Sequence, residues 1–147
     1  MKWHKQKFWI SDQLSDVDMS AVHRMLSKTY WAANRPKERT EASVTGSVCF
    51  SLKNEDEQIG FARVLTDSGS LAVVADVVID SRFQRKKLGS WLISVIESHP
   101  KFEDMVLILW TEDQVEFYKA CGLEHISSFQ VMRKSPDWME KMENKIE

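Results

Sequence analysis

Seven residues, Gln84, Arg85, Lys86, Lys87, Leu88, Gly89 and Ser90, combine three positive charges with a glycine where a helix begins. The stretch before them, Val77, Val78 and Ile79, is β-branched throughout and reads as a buried strand. The stretch after them changes period. Leu88, Trp91, Leu92, Val95 and Ile96 fall on one helical face. The first turn of a helix has unpaired N–H groups and the positive end of a dipole, and it is a ready seat for a phosphate. Acidic residues would suit that turn on dipole grounds, and this one is basic, which points to a negative ligand. Gly89 removes a Cβ where such a ligand would approach the backbone. Two readings stay open at this point: a phosphate seat, or a solvated basic turn ahead of an ordinary core helix.

Other residues could do chemistry. Asp76 is the one carboxylate inside the strand Leu71–Ile79. Apolar neighbours could raise its pKa and make it a general base, or it could be a structural acid. Glu112 and Asp113 are weaker candidates for a base and could equally cap a helix. Tyr30 and Trp31 sit at a helix junction, where they could line a substrate cleft or simply anchor two helices. Cys49 and Cys121 lack a nucleophile's surroundings, so a covalent acyl-enzyme is not expected. Free thiols in a reducing compartment fit them better than a disulfide. His4, His23, His99 and His125 are scattered and no metal site is expected.

The elements that must position these groups follow from the rest of the chain. A short strand is expected at Lys7–Ser11. A helix follows from Ser15, its candidate N-cap, to about Tyr30, carried by Met19, Val22, Met25, Leu26 and Thr29. Pro36 opens a second, polar helix over Lys37–Val44. Strands are expected at Ser47–Leu52, Gln58–Thr66 and Leu71–Ile79, an antiparallel meander. In the first of them Val48 and Phe50 face one way and Cys49 the other. The helix from Leu88 ends at His99-Pro100, a further strand spans Met105–Trp110, and a two-turn helix runs from Gln114 to Ala120. A final strand is expected at Ser127–Met132. The charged tail from 134 to 147 either forms a short helix on Trp138 and Met142 or frays. The class is α+β with a mixed sheet, because strand–helix–strand makes one parallel pair inside an otherwise antiparallel order.

The segment Gln84–Gly89 resembles motif A of the GNAT acetyltransferase superfamily, Gln/Arg-x-x-Gly-x-Gly/Ala between a strand and a helix. Gly89 is the second glycine, and Lys87 stands in place of the first. Phe117-Tyr118-Lys119-Ala120-Cys121-Gly122-Leu123 resembles the family's later Tyr-x-x-x-Gly-Phe pattern, with Leu123 for the usual Phe. The element order is also the family's. The resemblance implies a GNAT acyl-CoA N-acyltransferase fold, a mixed, mostly antiparallel sheet of about six to seven strands flanked by about four helices. It further implies acetyl-CoA as co-substrate, held along the backbone of Val77, Val78 and Ile79 and at the amides of Arg85 to Ser90. Tyr118 would protonate the departing thiolate. The acceptor would be a primary amine of a small molecule or peptide, attacking directly in a ternary complex. Rival readings are a non-catalytic acyl-CoA sensor on the same fold and a phosphate- or RNA-binding module.

Composition fits one domain over residues 1–147. The 147 residues are 43% hydrophobic and 29% charged, with a formal net charge of −2. That balance gives nucleic-acid binding no support. No apolar run reaches membrane-spanning length, and the first residues lack a signal-peptide core. A cytoplasmic protein without a membrane partner is expected, with sheet edges that would allow a homodimer.

Overall fold

In a computed structural model of the chain, residues 1–139 are described. Six strands form one sheet in sequential order: β1 (Lys2–Lys5), β2 (Phe8–Ser11), β3 (Val48–Asn54), β4 (Glu57–Thr66), β5 (Leu71–Ile79) and β6 (Val106–Ile108). The first four junctions are antiparallel, and β5 and β6 run parallel. The helices are α1 (Met19–Leu26), α2 (Lys37–Thr45), α3 (Leu88–Glu97) and α4 (Val115–Ala120). This is the α+β, mostly antiparallel sheet expected from the sequence. No helix among the described residues is long and apolar enough to cross a membrane.

The sheet has a core on each face. Phe50, Leu52, Ile59 and Val64 pack against Leu88, Leu92, Ile93 and Ile96 of α3. On the other face Cys49 and Phe61 pack against Ala21, Val22, Met25 and Leu26 of α1 and Val44 of α2. Phe50 and Cys49 thus take opposite faces, as the period of a strand requires.

Four expectations need correction. The sequence suggested one N-terminal strand; the chain forms a hairpin, with Lys5 paired to Phe8 and Gln6 at φ 56° in the turn. Gln6-Lys7 lacks the Asn-Gly or Asp-Gly chemistry that announces such a turn, and β1 buries little beyond part of Trp3. Helix α1 starts after Asp18, not Ser15: the Asp18 carboxylate accepts from the Ala21 N–H at 3.2 Å. The Asp18 N–H donates to Gln58 Oε1 at 2.7 Å, which fixes the helix start to β4. The helix ends at Leu26, and irregular turns carry the chain to Pro36. The expected strand at Ser127–Met132 does not form, and Phe129, Val131 and Met132 are exposed. Alternation is a property of one segment, whereas a strand needs a paired edge, and this segment has no ladder partner. Met142, the second anchor expected for a tail helix, lies outside the described residues.

Candidate active site

Strands β5 and β6 pair over three residues only, Leu71 with Val106, Ala72 with Leu107 and Val73 with Ile108. Beyond Val73 the two strands part. The second half of β5, which contains Val77, Val78 and Ile79, therefore has β4 on one side and no strand on the other.

A β-bulge sets that half at its angle. Phe61 pairs with Val78 but Arg63 with Ala75, so β5 carries one extra residue there. Asp76 takes the irregular conformation, at φ 54°. The bulge also shifts the side-chain phase. Ala72 and Val74 face the α3 core before it, and Val77 and Ile79 face that core after it, with Val78 turned to the α1 core. A run as uniformly apolar as LAVVADVVI hides such a phase shift in the sequence.

Asp76 is the centre of a buried ion cluster. Arg35 donates through Nη1 and Nη2 at 2.7 and 3.0 Å, Arg63 through Nε at 2.8 Å, and Trp31 through its indole N–H at 3.0 Å. Arg63 Nη1 also reaches Ser47 Oγ at 3.2 Å. Burial alone would raise the Asp76 pKa, but the two guanidiniums outweigh it and hold the carboxyl below its ordinary range. The raised pKa considered from the sequence is therefore corrected. The apolar strand is not the environment of the carboxylate; two arginines from α2's approach and β4 are. A carboxylate held this way is a poor proton acceptor.

At the far end of β5 the loop is tied down before it reaches the helix. The Asp80 N–H donates to the Ile59 carbonyl at 2.7 Å, and the Asp80 side chain caps the turn Ser81–Phe83 through the Arg82 N–H. Arg82 is drawn to Asp80 and Glu57, away from the helix start. Gln84 donates its side-chain amide to the Ile79 carbonyl at 3.1 Å, so it braces the loop against the strand. Arg85 and Lys87 are both left-handed, at φ 64° and 61°. Alternation of this kind turns successive N–H groups toward a common concavity, which suits an anion. Lys87 is the N-cap residue of α3, and among the described residues the Leu88, Gly89 and Ser90 N–H groups meet no protein acceptor. Arg85, Lys86 and Lys87 are exposed beside them.

Gly89 also has a packing reason. A Cβ there would lie 3.3 Å from Phe117 Cζ and 3.8 Å from Ile79 Cγ1. The missing methyl makes room for the Phe117 ring of α4. Its neighbour Tyr118 stacks edge-on to Phe117, with ring centroids 4.9 Å apart. Tyr118 is half-buried, and burial, assisted by Cys121, Tyr30 and Asp113, pushes its pKa up to about 12. The phenol is therefore neutral across the physiological range. Burial pushes the Cys49 thiol up to about 11 and raises Cys121 as well, so neither is poised as a thiolate.

Tyr30 and Trp31 form an edge-to-face pair, with centroids 5.1 Å apart. Burial raises the Tyr30 pKa, opposed by the neighbouring Glu112 backbone. Tyr30 lies near the segment ahead of α4 and near enough to Tyr118 to help raise its pKa. Of the segment Thr111-Glu112-Asp113, expected from the sequence to cap the last helix, Thr111 supplies the contact: its Oγ1 accepts from the Gln114 N–H at 3.1 Å.

Two groups of residues were missed by sequence reasoning. A cavity of about 220 Å3 joins Val78, Ile79 and Gln84 to Arg24 and Lys28 of α1 and its C-terminal turn. Arg35 and Arg63 were missed as well. No local signal marks any of these four cations, since each is far in sequence from the residues it joins.

Comparison with known proteins agrees with the architecture. A GNAT-family protein from Xanthomonas campestris pv. campestris superposes with a TM-score of 0.81 at 25% identity, covering 88% of this chain and 94% of that one. A GNAT-family acetyltransferase from Streptococcus pneumoniae shares the fold, with a TM-score of 0.69 at 23% identity, over 93% of this chain and 99% of that one. An uncharacterized N-acetyltransferase of Gracilaria tenuistipitata var. liui is 30% identical over 115 residues, which are 74% of this chain; the match spans 63% of that relative's length. Residues 45–124, from the end of α2 through α4 to Glu124, match the family described as the acetyltransferase (GNAT) domain. They hold the parted strands, the left-handed basic turn and Tyr118 together, and by that match the chain belongs to the GNAT acetyltransferase family.

Proposed function

We propose that the chain transfers an acetyl group from acetyl-CoA to a primary amine of a small molecule or peptide, by direct attack within a ternary complex. The observation that carries this reading is the early end of β5–β6 pairing beside the free amides of α3. An arm with amide groups can add to the open edge of β5 as a strand would. A diphosphate fits the amides of Leu88, Gly89 and Ser90, with Arg85, Lys86 and Lys87 supplying charge. Arg24 and Lys28 add positive charge on the neighbouring side of Gln84. Bound acetyl-CoA supplies an activated acyl carbon on a thiol leaving group.

The chain's own part is to orient and to manage one proton. The amine nitrogen attacks the acyl carbon, the C–N bond forms and the C–S bond breaks. Tyr118 donates its phenolic proton toward the departing sulfur. With a pKa near 12, a tyrosinate regains a proton at once. The proton lost by the nitrogen equals the one gained by the sulfur, so the phenol ends as it began. Asp76 is assigned to positioning: it holds Arg35, Arg63 and Trp31 around the bulge and takes no proton. Tyr30 and Trp31 line the acceptor side.

The test is steady-state acetyl transfer to a panel of amines, alongside calorimetric binding of CoA. Turnover that depends on Tyr118 is expected. Tight CoA binding with no turnover on any amine would make the chain a sensor instead.

A further inference from the structure

A cavity of about 670 Å3 lies on the α2 side of the Asp76 cluster. Arg35, Arg39 and Arg63 line it together with Ser43, and Trp138 forms an aromatic wall. Its size suits a metabolite. Among the described residues its lining carries three guanidiniums and no carboxylate, and the nearest counter-charge to Arg35 and Arg63 is Asp76. That carboxylate is set behind the cations, with its side chain 2% exposed against 12% for Arg35 and for Arg63. Among the described residues no carboxylate lies within ion-pair distance of Arg39.

The donors can be followed one by one. Arg35 spends both Nη groups on Asp76. Arg63 spends Nε on Asp76 and Nη1 on Ser47, which leaves Nη2. Among the described residues Arg39, which also lines the cavity, has no side-chain hydrogen bond or ion pair. Planar guanidinium forks match carboxylate and phosphate oxygens in pairs. The cavity is also connected to the reacting end of the site. Asp76 binds Trp31, Trp31 stacks on Tyr30, and Tyr30 lies near Tyr118.

We propose that the acceptor amine carries an anionic group of its own, a carboxylate or a phosphate, and that Arg39 and Arg63 hold this group at the cavity while the amine points toward Tyr118. This rests on the reading of the chain as an amine acetyltransferase. Arg35 is then a positioning residue: with both Nη groups on Asp76, it keeps the carboxylate turned away from the ligand.

Matched acceptor pairs test it. An amino acid is compared with its carboxamide, and phosphoethanolamine with ethanolamine, at saturating acetyl-CoA. In one pair the anionic member is expected to show kcat/KM about tenfold or more above its neutral twin. The Arg39→Gln variant should collapse that ratio, and Arg39→Lys should restore part of it. The pair that responds tells carboxylate from phosphate. Equal use within both pairs, or a ratio that ignores Arg39→Gln, overturns the proposal. A second arm stands apart from turnover. Inorganic phosphate and acetate are titrated calorimetrically into the free protein, its Arg39→Gln variant and its Lys86→Gln variant. Binding lost with Arg39 but kept with Lys86→Gln supports the cavity even if no amine is acetylated, in which case only the transferase reading falls. No Arg39-dependent binding of either anion overturns the cavity proposal.

Discussion

The Trp31 indole N–H donates to Asp76 Oδ1 at 3.0 Å, across 45 positions of sequence, and ties the α1–α2 connection to the bulge of β5. With Arg35 and Arg63 on the same carboxylate, the substrate-side segment and the splayed strand share one anchor. Replacing Asp76 leaves two largely buried guanidiniums without their counter-charge. Asp76→Ala should cost about 3–5 kcal/mol of stability, the usual loss when one partner of a buried pair is removed. Chemical denaturation measures it. The pH dependence has a definite sign. The folded carboxyl sits below its unfolded range, so its stabilisation is present above the ordinary carboxylate range and is lost as pH falls through the folded value. Asp76→Asn should flatten that acid limb.

Lys87 explains how the family turn survives without its first glycine. At φ 61° it occupies the conformation a glycine would supply at no steric cost. Lys87→Ala and Lys87→Gly both remove the charge, but only the second removes the Cβ. The glycine variant should therefore be more stable than the alanine variant by about 1 kcal/mol. CoA affinity should fall in both by a similar factor. Thermal denaturation and calorimetry on the two proteins separate strain from charge.

How much of this was legible in the sequence depends on distance along the chain. The strand Leu71–Ile79 was found at its observed bounds, because period and breakers are local; the apolar face of α3 was found from Leu88, but the basic residues read as its first turn lie ahead of it, with Lys87 as N-cap. The basic turn was read locally from its residue types, and Tyr118 was picked out by the resemblance of its segment to the family's later pattern. The bulge was not legible, since the residues on either side of Asp76 are apolar on both faces and show no alternation to break. The partners of Asp76 were not, because Arg35 and Arg63 meet it only after β4, β5 and the approach to α2 are assembled. Gly89 shows a third case. Its contact with Phe117 was not legible, since that ring comes to it from another helix.

That contact yields its own prediction. In Gly89→Ala the new methyl would sit 3.3 Å from the Phe117 ring, and the ring must give way. The expected cost is about 1–3 kcal/mol, as for overpacking in a filled site. Because Tyr118 follows Phe117 on α4, kcat should fall further than CoA affinity. A variant with intact CoA binding and reduced kcat would match this; loss of CoA binding alone, with kcat kept, would return Gly89 to the phosphate seat.

Tyr118→Phe isolates the proton. The ring and its packing stay, and the hydroxyl goes. If the phenol serves the departing sulfur, kcat should drop by about 10²-fold or more while the KM for acetyl-CoA changes little. The pH profile supplies the second half. With the phenol pushed up to about 12, its ionisation should produce no fall in kcat below about pH 10, the ordinary tyrosine value. Stability has the matching sign: the folded phenol holds its proton above the unfolded value, so stability is lost as pH rises from the unfolded pKa through the folded one. An alkaline limb in kcat below pH 10 that disappears in Tyr118→Phe would mean a phenol far more acidic than its burial allows. A full-rate Tyr118→Phe enzyme would mean that the sulfur takes its proton elsewhere.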